Sequence, residues 1–148
     1  MNAPDPDRDP DLIPEPPPGF VRSEGRGAFS TLNGPYFHKL GTGETVEQAF
    51  YALDRHLNGI GLVHGGMLSA FTDGLLAMAV GRGTRKVAVT IHLSVDFLHM
   101  ARKGDWVIGE AKMSRATKDV AFADGRLHAR GVDIVRASGV FKLMERHG

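Results

Sequence analysis

The stretch that decides the fold runs from Asn58 to Val80 and reads NGIGLVHGGMLSAFTDGLLAMAV. It opens as a glycine-rich turn and continues as an apolar segment with one carboxylate, Asp73, near its middle. A helix that is apolar on nearly every side belongs inside a core. We therefore predict a buried helix that starts at Gly65–Gly66 and that the rest of the chain surrounds. An Asp buried in such a helix is costly unless it is hydrogen-bonded or has a function, which makes Asp73 the first candidate functional residue.

The segments that flank this helix predict strands. Gly81–Gly83 is predicted to end the helix, as glycine after the last turn commonly does. A long period-2 pattern then predicts a strand with one buried face; its apolar residues are Val87, Val89, Ile91, Leu93, Val95 and Phe97. Similar patterns predict further strands at residues 36–40, 46–53, 104–114, 120–129 and 132–144. Because the helix and the strands are segregated along the chain, we predict an α+β fold in which an antiparallel sheet curls around the helix.

Composition limits the kind of protein this is. The chain of 148 residues is the size of one domain, and its net charge of +1 argues against a dedicated nucleic-acid binder. Residues 1–18 hold seven of the eight prolines among acidic residues, which predicts a disordered tail before a single domain at 19–148. No apolar run reaches the length of a membrane span, and no secretory signal opens the sequence. The chain has no cysteine, so its redox compartment cannot be inferred from the sequence, and we take the cytoplasm as the default location.

Several polar residues of the central segment share one side of the predicted helix. Gly65 or Gly66, Ser69, Thr72 and Asp73 follow one another at intervals of three or four residues, apart from the last adjacent pair. The N–H groups of a helix N-terminus lack intrahelical partners and favour an oxygen that gains negative charge. Asp73 is the candidate general base or nucleophile. The stripe therefore favours acyl-transfer chemistry.

The spacing of this stripe has a consequence for assembly. Gly65 and Asp73 are eight residues apart, which is about 12 Å along a helix at 1.5 Å per residue. They cannot act on the same carbonyl from one chain. If both are catalytic, two helices must lie antiparallel across a two-fold axis, with Gly65 of one subunit facing Asp73 of the other.

Structural roles remain open for three of these residues. His64 could simply enter the helix and hydrogen-bond the turn, and Asn58 is more often a turn residue than a catalytic amide. Asp73 could be a structural carboxylate that caps a neighbouring loop. The seven histidines raise the question of a metal, but they show no ligand spacing beside carboxylates, so we expect neither a metal nor a cofactor.

The spacing Asn58-x5-His64-Gly65-Gly66 followed by Asp73 resembles the signature of the hotdog-fold thioesterases, specifically the PaaI-type acyl-CoA thioesterases. The similarity covers roughly residues 35–144. It implies a curved antiparallel sheet around one long helix, assembled as dimers or dimers of dimers. Coenzyme A would enter only as part of the substrate.

The resemblance also implies residue roles. Asp73 would be the general base or nucleophile that acts on the thioester, and the N–H of Gly65 would polarise its carbonyl. Asn58 and His64 would position the attacking water, the thioester and the turn, and Thr90 would supply a hydroxyl that orients water. Further residues are expected to bind the substrate: Gly66, Met67, Leu68 and Phe71 around the acyl group, and Arg82 and Arg85, with Lys86, Arg102 and Lys103, around the phosphates. Plain core packing and a solvated cationic turn are the structural alternatives for these two sets.

Two other functions compete with thioester hydrolysis. A hotdog hydratase or dehydratase would use Asp73 with His64 of the partner subunit to move a proton at one substrate carbon. A non-catalytic acyl-CoA binding module would keep the pocket without the chemistry.

Overall fold

The computed structural model describes residues 3–9, 12–39 and 43–146. Two helices and seven strands follow one another in this part of the chain: β1 (Phe20–Arg22), α1 (Ala28–Asn33), β2 (Tyr36–Lys39), β3 (Val46–Tyr51), α2 (Gly65–Thr84), β4 (Val87–Phe97), β5 (Trp106–Ala116), β6 (Val120–Ala129) and β7 (Val132–Met144). A short 3-10 turn, Asp54–His56, precedes α2.

The seven strands form one sheet in the order β1-β2-β3-β5-β6-β7-β4, with every neighbouring pair antiparallel. Helix α2 packs against β3, β4, β5, β6 and β7. The predicted α+β architecture, an antiparallel sheet around one long helix, is confirmed. β4 lies at one edge of the sheet although it directly follows α2 in sequence, and this placement brings β4 beside the helix that carries the candidate site.

The predicted end of the helix is wrong. α2 begins at Gly65 as expected, but it continues through the predicted terminator to Thr84 and is capped by Arg85 in the left-handed conformation, with φ of 60°. The physical reason lies in packing. A Cβ at position 83 would stand 2.7 Å from Cε of Met113, so glycine at this position allows β5 to approach the helix rather than ending it.

The helix is buried on one side only. Its buried residues repeat in adjacent pairs every four residues and face the sheet: Met67, Leu68, Phe71, Thr72, Leu75, Leu76, Ala79 and Val80. The opposite side is built mainly from small residues and is half-buried, and Asp73 belongs to it. The prediction of a helix buried all round, with a buried Asp, is therefore wrong for a single subunit.

The predicted single buried face of β4 is also wrong. The pairing of β4 with β7 shifts its register between Thr90 and His92. Such a bulge inserts one extra residue and changes which side chains face the core. Val87, Val89 and Ile91 are exposed. The residues that turn toward the helix are Ala88 and Thr90 before the bulge and Leu93, Val95 and Phe97 after it.

The N-terminal segment contacts the domain at Asp7. Its carboxylate accepts hydrogen bonds from the backbone N–H groups of Asp54 and Arg55 at 3.1 and 3.0 Å. Disorder of residues 1–18 stays a prediction. Within the described part of the chain, no helix is both long enough and apolar enough to cross a membrane.

Candidate active site

His64 caps the N-terminus of α2. Its Nδ1 accepts the N–H of Gly66 at 2.7 Å, and its carbonyl accepts the N–H of Leu68 at 3.1 Å. Because Nδ1 is the acceptor, a neutral His64 ring carries its proton on Nε2. The structural role anticipated for His64 is thus present, and the N–H of Gly66 is already used. The N–H of Gly65, at the first helical position, has no carbonyl partner within the helix and is the candidate donor to an oxyanion.

The aromatic ring of Phe97 covers Gly65. A Cβ added at position 65 would lie 3.3 Å from Cζ of Phe97, so the absence of a side chain lets the ring approach the backbone. Phe97 is the last residue of β4, and its ring is largely exposed to solvent. The sequence pattern placed Phe97 on a strand face but gave no sign of this contact.

Asp73 is held by Thr90. The hydroxyl of Thr90 donates a hydrogen bond of 2.6 Å to Oδ1 of Asp73, which joins the middle of α2 to the inner side of β4. This leaves Oδ2 and the remaining lone pairs of Oδ1 as acceptors for a proton from water. Two residues predicted from different parts of the sequence are therefore brought together, and Thr90 positions the carboxylate directly.

Asn58 organises the turn before the helix. Its Oδ1 accepts the N–H groups of Ile60 and Leu62 at 3.1 and 3.0 Å, and its backbone N–H donates to the carbonyl of Leu62 at 2.7 Å. These bonds are those of an Asx-type turn. The geometry therefore shows Asn58 as a turn residue, and the turn that it stabilises leads directly to His64 and the start of α2.

Gly65 and Asp73 do not meet within one subunit. They occupy the first and third turns of the same helix, about 12 Å apart along its axis. Within one subunit the N–H of Gly65 and the carboxylate of Asp73 therefore lie at separate places. Phe97, at the end of β4, contacts Gly65, and Thr90, seven residues earlier on the same strand, contacts Asp73.

A cavity of about 250 Å³ opens beside the N-terminus of α2. Its lining residues come from α1, the 3-10 turn and the first turns of α2: Phe29, Asn33, Arg55, His56, Leu57, His64, Gly66, Met67 and Ala70. The sequence predicted His64, Gly66 and Met67 here. It missed Phe29 and His56, which approach from segments with no motif of their own.

His56 ties these segments together. Its Nδ1 accepts the N–H of Leu53 at 3.0 Å, and its Nε2 lies 2.6 Å from the carbonyl oxygen of Asn33. Burial lowers the pKa of His56, and the hydrogen bond to Asn33 only partly opposes this. A neutral ring with its proton on Nε2 satisfies both bonds at once.

The predicted acyl-binding residues lie in or beside the core. Met67 lines the 250 Å³ cavity. Leu68 is buried, and Phe71 is fully buried, with its ring edge-on to Tyr36 and Phe50 at centroid distances of 5.4 and 4.8 Å. Substrate contact by Leu68 and Phe71 stays a prediction.

The predicted phosphate-binding cations lie at the surface. Arg82 and Arg85 are exposed at the C-terminal end of α2. Lys86 pairs with Glu145 at 3.3 Å, and Lys103 pairs with Asp54 at 2.7 Å. Among the residues the structure describes, no group of three or more His, Asp or Glu side chains is arranged to hold a metal ion.

An antiparallel sheet packed around one long helix is the architecture of the hotdog class of proteins. The chain belongs to the thioesterase superfamily, whose family model matches residues 60–135. The resemblance to the PaaI-type hotdog thioesterases is confirmed.

Known proteins of this kind match most of the chain. A protein of Pseudomonas aeruginosa, whose name assigns it provisionally to the esterases, is 35% identical over 129 residues, which cover 86% of this chain and 96% of that protein. The structure of the E. coli PaaI protein from the phenylacetic acid degradation operon matches with a TM-score of 0.73 and 18% identity, over 80% of this chain and 86% of that one. A hypothetical thioesterase from Streptococcus pneumoniae, solved with coenzyme A, matches with a TM-score of 0.71 and 17% identity, over 76% and 88% of the two chains.

Proposed function

We propose that the protein hydrolyses the thioester bond of an acyl- or aroyl-CoA, using its own side chains and a helix N–H group. The observation that carries the proposal is the hydrogen bond of 2.6 Å from Thr90 to Asp73. It holds a half-buried carboxylate beside an edge strand, where a substrate and a second subunit can both reach it. The membership of the thioesterase superfamily and the neighbour solved with coenzyme A support the substrate class.

The active unit in this proposal is a dimer formed through β4. This strand of eleven residues occupies the sheet edge, and an edge strand of that length with exposed apolar side chains is a template for pairing. If two copies pair antiparallel about a two-fold axis between Leu93 and Ser94, Thr90 lies opposite Phe97 of the partner subunit. Thr90 bonds Asp73, and Phe97 covers Gly65, so this register brings Asp73 near Gly65 of the partner subunit.

The reaction follows from that arrangement. The N–H of Gly65 donates to the thioester oxygen and stabilises the negative charge that develops there. Asp73 of the other subunit either takes the proton of an attacking water or attacks the carbonyl itself. In the first route water forms the new C–O bond as the C–S bond breaks. In the second route Asp73 forms an anhydride with the acyl group as the C–S bond breaks, and water then hydrolyses the anhydride and restores Asp73. In both routes the departing thiolate of coenzyme A takes up a proton that water gives up. A cytoplasmic location, where acyl-CoA esters are formed and used, belongs to the same proposal.

Release of free thiol from short, medium, long and aromatic acyl-CoA esters tests the function. We expect thiol release from part of the panel and a loss of about 10²- to 10⁴-fold in kcat for Asp73→Asn, the range for removal of a general base. Asp73→Asn should still bind the CoA ester with wild-type affinity. Hydration of an enoyl-CoA without thiol release would make the protein a hydratase. Tight binding with neither reaction would make it a binding module.

A further inference from the structure

Arg26 lies at the junction of two cavities that the catalytic proposal does not use. One, of about 460 Å³, is lined by residues of the β1–α1 region, among them Arg22 and Glu24, together with Arg55. The other, of about 600 Å³, is a groove along the half-buried side of α2, and its lining includes Gly74, Ala77, Arg82, Lys86, Ala88 and Arg146. Arg26 and Ser30 are the residues common to both.

The guanidinium of Arg26 is held in place by neutral partners. Gln48 is fully buried, and its side-chain amide is oriented with the oxygen toward Arg26. In this orientation the amide oxygen accepts hydrogen bonds from Nη1 and Nη2 of Arg26 at 2.5 and 2.9 Å. The opposite orientation would set amide N–H groups against guanidinium N–H groups. Nη1 also lies 3.7 Å from Sδ of Met78. A guanidinium has five N–H donors, so these contacts leave some of them for a ligand.

No carboxylate among the described residues forms an ion pair with Arg26. Burial lowers the pKa of Arg26, because its charged form loses hydration, and the neighbouring Tyr36 opposes this only in part. Arg55, by contrast, already pairs with Asp7 at 3.7 Å. Glu24 lines the smaller cavity, whereas the lining of the groove contains several cations and no acidic residue. An anion would therefore reach Arg26 from the groove.

The groove is lined by residues close in sequence to Asp73 and Thr90, beginning with Gly74. On α2 its floor includes Ala77, one helical turn after Asp73, and on β4 its wall includes Ala88, two residues before Thr90. Nη2 of Arg26 lies 3.8 Å from where a Cβ on residue 74 would stand. Because consecutive Cα atoms are about 3.8 Å apart, the guanidinium lies within roughly 13 Å of the Asp73 carboxylate. An acyl chain of a few carbons can span that distance, and the groove offers it room because Gly74, Ala77 and Ala88 have small side chains or none.

We propose that Arg26 sets the acyl specificity by binding a carboxylate at the far end of a short acyl group. The substrates would be monothioesters of dicarboxylic acids, with the acyl chain in the groove over Gly74 and Ala77 and its carboxylate paired with Arg26. This rests on the proposed thioesterase function. A phosphate of coenzyme A can also pair with a guanidinium. In the groove, however, Arg26 is half-buried whereas Arg82 and Arg146 are exposed, and a carboxylate on a thin chain reaches a half-buried group more readily.

Matched thioesters test the specificity. Adipyl-CoA and hexanoyl-CoA have the same chain length and differ by the terminal carboxylate. We expect the wild-type protein to have the larger kcat/KM for adipyl-CoA. Arg26→Gln should reduce the ratio of kcat/KM for adipyl over hexanoyl by about 10- to 100-fold, the range for a hydrogen bond to a charged group. Arg26→Lys should restore part of that ratio, and Arg22→Gln, a change in the smaller cavity only, should leave it at the wild-type value.

N-acetylcysteamine thioesters of the same two acids separate the two sources of the anion, because they carry no phosphate. If Arg26 binds the acyl carboxylate, the effect of Arg26→Gln on the ratio persists on these substrates. If Arg26 binds a coenzyme A phosphate, Arg26→Gln lowers activity on both CoA esters equally and has no effect on either N-acetylcysteamine ester, and the proposal is wrong.

Binding of the free acids gives a readout that does not depend on hydrolysis. Adipate should raise the thermal unfolding midpoint of the wild-type protein more than hexanoate does, and Arg26→Gln should abolish the difference. This result would support the carboxylate site even if no acyl-CoA were hydrolysed. Equal effects of the two acids on the wild-type protein, together with equal kcat/KM for their CoA esters, would overturn the proposal whether or not Arg26→Gln folds.

Discussion

The separation of Gly65 and Asp73 on one helix makes a quantitative prediction about mixed dimers. Two variants are needed, each lacking one half of the site. Asp73→Asn removes the carboxylate while keeping its shape. Gly65→Pro removes the N–H, and proline is well suited to the first helical position. The preceding residue, His64, already has φ of −61° and ψ of 134°, which is the conformation favoured before proline. Phe97, exposed at the end of β4, can move aside for the new ring.

Each variant alone should be nearly inactive. Loss of one oxyanion donor costs about 10²- to 10³-fold in kcat, and loss of a general base about 10²- to 10⁴-fold. In a heterodimer of the two, one of the two sites combines an intact Asp73 with an intact Gly65, and the other lacks both groups. An isologous dimer with two independent sites should then show about half the wild-type kcat per dimer.

Co-expression with two different affinity tags isolates the heterodimer, and thiol release measures its activity. The matched control is a heterodimer of the wild-type subunit with the double variant Asp73→Asn/Gly65→Pro. It contains the same four residues but no intact composite site, so it should be nearly inactive. Sites contained within one subunit would reverse both results, with activity in the control and none in the complementing pair. That reversal, or an active monomer, would refute the composite site.

Three further predictions concern single residues. Thr90→Val removes the hydroxyl that donates a hydrogen bond to Asp73 and should lower kcat by about tenfold or more. Thr90→Ser keeps a hydroxyl and should retain most activity. An unchanged kcat in Thr90→Val would contradict a positioning role for Thr90. Gly109→Ala places a Cβ 2.6 to 3.1 Å from three core side chains and should lower the free energy of unfolding by about 1–3 kcal/mol. Gly59→Ala is the control, because nothing lies within 4 Å of a Cβ at that position. Equal denaturation midpoints for the two variants would contradict the tight packing around Gly109. Burial lowers the pKa of His56, so the unfolded chain binds that proton more readily and stability should be lost as the pH falls below about 6.5. Urea unfolding at pH 7.5 and 5.5 measures this loss, which should be smaller in His56→Gln; an identical loss in both proteins would contradict it.

The sequence predicts the strands best where local pattern and turn chemistry agree. β6 and β7 have the predicted bounds, Val120–Ala129 and Val132–Met144. The turn between them places Arg130 and Gly131 at φ of 52° and 74°, a two-residue connection with both residues in the left-handed region. Turn and period together are sufficient for the bounds of the two strands, but not for their full register, which shifts between Leu127 and His128.

Local information fails where a distant residue decides the structure. Gly83 looks like a helix terminator, but Met113 lies against it and the helix continues. The alternation along β4 is regular in sequence, yet the bulge between Thr90 and His92 moves later residues to the other face. Neither the contact of Met113 with Gly83 nor the bulge in β4 can be predicted from the spacing of the neighbouring residues in sequence.

The candidate site divides in the same way. His64, Gly65 and Asp73 were found because one helix imposes their spacing. Phe97 over Gly65, and Arg26 beside Gly74, come from segments far from the helix in sequence. Only the fold brings them to it, and a single aromatic or a single arginine has no pattern that marks it.

Two regions are less buried in one subunit than the sequence predicts. The sequence predicts a helix buried all round and a β4 strand with one continuous buried face. In one subunit the side of α2 that carries Asp73 is half-buried, and Val87, Val89 and Ile91 of β4 are exposed. Both regions lie at the same edge of the molecule, because β4 ends the sheet and packs on α2. In the dimer proposed above, pairing of β4 with a second copy would reduce the exposure of the side of α2 that carries Asp73, and the same interface would bring Asp73 to Gly65 of the partner subunit.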